Sequence, residues 1–199
     1  TFFSVDQLGR SAFSIPYLDG SLSISRASRT FPQYLIFKPA MIITAIALYY
    51  YWCNNNNLVN KLKSTDINYK FKTFGILSAV FLAIHAIFLG IKFEIQIYKL
   101  MRRVILLSFI IFEIIAQGIL VYHLFKIKDK LIELINKKVL FFKAILVSTL
   151  AIVAIASLPL LIAKGNTHFK HALEWNYFVG VIMFYLFTRF LWRKNHINF

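Results

Sequence analysis

The sequence predicts an all-α integral membrane protein: a bundle of about five transmembrane helices preceded by an extended polar N-terminal arm. Three observations carry that prediction. Hydrophobic residues make up 59% of the 199 residues, above the ~45–50% usual for a soluble globular chain, so there is more apolar surface than one core can hide. Phenylalanine alone accounts for 21 residues while acidic residues number only 8, which leaves little polar surface to keep a folded monomer in water. The apolar residues also fall into five runs, each of about the ~20 residues that an α-helix needs to cross a hydrocarbon core.

In chain order, residues 1–33 form the arm. It holds no apolar run long enough to span, and Pro16 and Pro32 favour an extended path over a helix. Thr1–Arg10 lacks the basic stretch and apolar core of a secretory leader, so none is expected. The spans follow at 34–52, 72–91, 98–125, 139–163 and 175–192, making 34–194 the transmembrane domain and 195–199 a short tail. They must be helices because backbone N–H and C=O groups in lipid have to be satisfied within the segment, and the alternating ten-residue strands of a barrel are missing. Trp52, Trp175 and Trp192 fall at predicted helix ends beside Tyr49, Tyr50, Tyr51 and Tyr177, the placement expected of an aromatic belt. Ala144, Ser148, Ala151 and Ala154 give the fourth span a small-residue surface that lets backbones approach. Pro159 is expected to kink its outer part.

The net charge of +15 does not indicate nucleic acid, which would need a basic stripe on a soluble scaffold. Lys and Arg sit in the gaps between apolar runs, where each attracts anionic head groups by roughly 1 kcal/mol. Anionic lipid is therefore an expected partner. With five alternating spans, the 23 basic residues divide with a small excess on the side of Lys61 and the C-terminus. That side is placed inside, and Ser23 and Lys170 outside. Cys53 is the only cysteine, so no internal disulfide is possible.

Among residues that could carry chemistry, Glu113 lies deepest in an apolar run, with Gln117 one turn later on the same face. An intramembrane carboxyl raises the possibility of a proton path, with His85 on the preceding span as its titratable partner. The favoured reading is structural, with Glu113 protonated or bonded to Gln117 or His85 and locking helices together. His168, His171 and Glu174 follow spacings of three at the entry to the last span. No fourth ligand accompanies them, so they are read as polar residues dressing a helix start rather than as a metal site. Arg26 and Arg29 offer forked donors to phosphate or carboxylate, and Arg102 and Arg103 join them as lipid or partner contacts. No nucleophile elbow, phosphate loop or metalloprotease motif is present, so neither an enzyme nor a cofactor is expected.

Ser23-Ile24-Ser25-Arg26-Ala27, followed by Arg29-Thr30, Pro32 and the helix opening at Ile36-Phe37, resembles the outer loop of the Frag/DRAM/Sfk family of multi-spanning membrane proteins. Glu174-Trp175 opening the last span resembles the Glu-Trp that begins the last helix of that family. Members usually have six helices, the first of them before the Ser-rich loop, whereas residues 1–31 here hold no span. The resemblance implies lipid handling on the outer side, with Ser23, Ser25, Arg26 and Arg29 near His168, His171 and Glu174.

Three functions from different classes are consistent with these residues. The leading expectation is a non-catalytic accessory or scaffold subunit of a larger membrane complex, because a polar arm with no apolar anchor of its own must be held by something. Basic charge, small size and an unprocessed-looking start suggest an energy-converting membrane such as that of mitochondria. A lipid-remodelling protein of the Frag/DRAM/Sfk type and an ion or proton conductor built on Glu113 and His85 are the alternatives.

Overall fold

The computed structural model describes residues 3–5, 11–13, 15–28, 33–63, 70–88, 96–128, 134–162 and 165–192. Among the described residues the architecture is all-α, with five long helices, and the chain divides into two compact units, Arg29–Ile127 and Thr1–Ser28 with Lys128–Phe199.

The first unit consists of α3 (Gln33–Lys63), α4 (Lys70–Phe88) and α5 (Gln96–Ile127), numbered after two short helices of the arm described below. α3 runs well past the predicted end at Trp52. Asn54–Asn57 stay helical, and Leu58, Lys61, Leu62 and Lys63 are good helix formers. Trp52, expected at an interface, is therefore an interior position of α3 and is completely buried. Its ring stands 6.2 Å from that of Phe71 and rests on Gly75, where an added Cβ would run into the indole. Gly75 thus lets α4 approach α3 closely enough to cover a tryptophan. α4 and α5 are joined by a stack in which Phe112 lies 5.9 Å from Phe74 and 5.5 Å from Phe81.

The second unit pairs α6 (Lys137–Ile162) with α7 (Thr167–Leu191). Gly180 admits Leu150, whose Cδ2 would lie 2.7 Å from a Cβ at that position. The Tyr177 hydroxyl donates to the Leu150 carbonyl at 2.9 Å. Pro159 lies inside α6, where it removes one i to i−4 hydrogen bond near the helix end.

The same unit contains the N-terminal segment, and here the expectation of an extended arm needs correction. Strands β1 (Phe3–Val5) and β2 (Ser11–Phe13) pair antiparallel with Ser4 opposite Ala12. Two single-turn helices follow, α1 (Pro16–Asp19) and α2 (Ile24–Ala27). Pro16 does not hold the chain extended. It occupies the first turn of α1, where its missing N–H would have had no helical partner and its fixed φ suits a helix.

Four of the described helices are long and apolar enough to cross a membrane, over Gln33–Lys61, Lys70–Phe88, Leu100–Ile127 and Lys137–Ser157. They carry the first four predicted spans, and by length and composition the chain is a multi-pass membrane protein. The fifth predicted span lies on α7, a continuous helix of 25 residues. It carries Lys170, Glu174, Asn176 and Arg189 and is not among the four helices that are long and apolar enough to cross. α7 also begins eight positions before the predicted span, at Thr167.

Candidate functional site

One buried polar group is centred on Glu113. Glu113 and Gln117 are both fully buried on α5, and His85 is buried on α4. Gln117 Nε2 donates to Glu113 Oε1 at 2.8 Å, the i, i+4 contact expected from the sequence. The second partner was not foreseen: Ser78 Oγ lies 2.6 Å from Glu113 Oε2 and 2.8 Å from the Gly75 carbonyl. A serine hydroxyl has one proton to give. Both contacts are made at once when Glu113 carries a proton on Oε2, donates it to Ser78 Oγ, and Ser78 in turn donates to Gly75. This ties the carboxyl of one helix to the hydroxyl and backbone of the next, a helix lock of the kind polar residues form in lipid. Ser78 escaped notice because a lone serine in an apolar run has no spacing signature.

A second polar group inside a span is Lys143 of α6. It lies within the predicted span 139–163, and its side chain is fully buried. Nζ donates to Thr188 Oγ1 at 2.6 Å and lies 3.7 Å from the centroid of the Phe184 ring. Thr188 Oγ1 in turn donates a hydrogen bond to the Phe184 carbonyl at 3.1 Å. The Lys143 amino group is thus held between a hydroxyl and an aromatic face. It joins α6 to α7.

The third constellation is the docked N-terminal segment. On α7, Trp175 Nε1 donates to the Leu22 carbonyl at 2.7 Å, and Asn176 Nδ2 donates to the Tyr17 carbonyl at 2.9 Å and the Ala172 carbonyl at 2.8 Å. His171 Nδ1 lies 3.0 Å from the Gly20 carbonyl. A carbonyl only accepts, so the ring proton sits on Nδ1. Three side chains on one stretch of α7 therefore hold three backbone carbonyls of the segment.

Gly20 makes the approach possible. Its φ of 61° is left-handed, and a Cβ there would run into the His168 backbone. Asp19 stiffens the turn, accepting from Ser21 N at 2.8 Å and from Ile15 N at 2.9 Å. The Ser21 backbone N–H holds the Asp19 carboxyl below its ordinary range.

Of the residues singled out in the sequence, Ser23, Glu174 and Trp175 share this unit. Ser23 is buried and its carbonyl accepts from Ala27 N at 3.0 Å. Ser25 and Arg26 lie on α2, their side chains outside the described set, and Arg29 lies outside the described residues. Arg102 belongs to the other unit, with its guanidinium 5.9 Å from the Tyr98 ring centroid. Arg103 is on α5, its side chain likewise outside the description. His171 faces the Gly20 carbonyl, and no group of three or more His, Cys, Asp or Glu side chains that could hold a metal ion occurs among the described residues. Comparison of the chain with protein families, curated proteins and solved structures finds no match.

Proposed function

We propose that this protein is a non-catalytic subunit that scaffolds anionic lipid and partner helices within a larger membrane assembly. The observation that supports this most is the use made of its intramembrane polar groups. Glu113 is engaged by Ser78 and Gln117, Lys143 by Thr188 and Phe184, and Tyr177 by the Leu150 backbone. Each ties one helix to its neighbour. Apolar side chains also face outward: Ile36, Ile43, Ile46 and Tyr50 on α3, and Ile152, Ile155 and Phe142 on α6, are all largely exposed. Such faces suit lipid tails and other transmembrane helices.

The membrane would be an energy-converting one, such as the inner mitochondrial membrane, in keeping with the basic charge. Native purification in mild detergent followed by stoichiometric analysis tests the reading. Fixed partners are expected to travel with the protein, together with anionic lipid. Isolation as a lone monomer that turns over lipid would instead establish the lipid-remodelling alternative that the Frag/DRAM/Sfk resemblance suggests. Conduction through Glu113 and His85 is the third reading, and the Glu113 substitutions discussed below separate it from the first.

A further inference from the structure

α3 carries a row of polar side chains at Trp52, Asn56 and Asn60 that the scaffold reading does not use. Four-residue steps keep them on one helix face. Trp52 is completely covered, Asn56 is 6% exposed and Asn60 is half-buried. Three of their atoms, Trp52 Nε1, Asn56 Oδ1 and Asn60 Oδ1, are buried and have no hydrogen-bond partner among the described residues. Their neighbour Asn55 behaves in the ordinary way, its Nδ2 donating to the Tyr51 carbonyl at 2.8 Å. The row is thus not a general property of the asparagine run. An unpaired buried polar atom is costly because it gives up its hydrogen bonds to water for nothing in return, and three in line on one face point to a common ligand.

We infer that this face of α3 binds a file of water molecules leading from the half-buried Asn60 to the indole of Trp52. The spacing suits water. Four residues of α-helix rise about 6 Å, too far for a direct hydrogen bond between successive side chains standing straight out from the helix but within reach of one bridging water when the side chains lean toward each other.

The hydrogen-bond count also closes. One water accepts from Trp52 Nε1 and donates to Asn56 Oδ1. A second donates to Asn56 Oδ1, whose two lone pairs take both, and to Asn60 Oδ1. A bound cation would be repelled by the indole N–H, and an anion by the two amide oxygens, whereas water both accepts and donates. The file enters at the Lys61 end of α3 and stops where the Trp52 ring closes against Gly75 and Phe71.

The test uses the full chain in nanodiscs of deuterated lipid, observing the indole proton of Trp52 by NMR, with Trp52→Phe to assign it. A direct cross-peak from water to this proton is expected although the ring is fully covered. The double variant Asn56→Leu with Asn60→Leu should abolish it. Absence of the cross-peak in the unmodified protein, or its survival in the double variant, would overturn the inference. Thermal unfolding of Asn56→Leu gives an independent reading that does not need the double variant to fold. Removing a dry, unpaired acceptor would raise the midpoint, whereas removing a member of a water file should lower it. A raised midpoint would also overturn the inference.

Discussion

At the scale of single residues, Glu113 is the most informative position. A glutamine can replace a protonated carboxyl atom for atom, with Nε2 donating to Ser78 and Oε1 accepting from Gln117. Glu113→Gln is therefore expected to keep assembly and thermal stability close to those of the parent. Glu113→Leu leaves Ser78 and Gln117 without this partner, and hydrogen bonds between helices in lipid are worth about 1–2 kcal/mol each in model peptides. A lowered unfolding midpoint in detergent should follow. Loss of a proton-coupled activity in the Gln variant with normal assembly would support the conductor reading instead.

Asp19 gives a pH-dependent counterpart at the protein surface. Its folded pKa lies below the ordinary aspartate value of 3.8, so its contribution is present above that value and is lost as pH falls through the folded one. Docking of the N-terminal segment, followed by limited proteolysis, should loosen in strong acid. In Asp19→Asn it should already be weakened at neutral pH, because one carboxylate oxygen that accepts a backbone N–H becomes an amide donor.

At the scale of elements, two glycines make different demands at helix contacts. Gly75 faces the rigid indole of Trp52, so Gly75→Ala should overpack the α3–α4 contact at a cost of about 1–3 kcal/mol. Gly180 faces the tip of Leu150, a flexible side chain that can turn aside, and Gly180→Ala should have a clearly smaller effect on the same thermal midpoint. Gly20 differs from both, since its left-handed φ and the nearby His168 backbone leave no room for a side chain. Deleting Thr1–Gly20 removes the Tyr17 and Gly20 carbonyls held by α7. The bundle should still insert, while co-purification of partners falls. Retention of the full partner set would show that the segment has no part in docking.

At the scale of the molecule, the number of crossings depends on α7. Five alternating spans place a tag at Phe199 and the Lys61 end of α3 on one side, with Leu18 and Lys170 on the other. Leu18 is 76% exposed, so Leu18→Cys in a Cys53→Ala background is a suitable reporter for impermeant labelling in sealed vesicles. Labels at Leu18 and Phe199 on the same side would mean that α7 does not cross, and that the four apolar helices are all the crossings the described helices make.

The sequence by itself determined the helical class and the sites of the first four apolar spans, because bilayer thickness imposes a length and lipid excludes unpaired backbone groups. It also singled out Glu113 and Gln117, whose i, i+4 spacing is local. Tertiary structure decided the rest. Whether Ser78 meets Glu113, whether Lys143 meets a buried ring, and whether Trp52 lies at an interface or beneath α4 all depend on which helix faces meet. That the polar N-terminal segment turns back onto α7 depends on a left-handed glycine and on donors 151 to 159 residues away along the chain. Local pattern carries no information about contacts at that separation, because they form only when the packed helices bring the two stretches together.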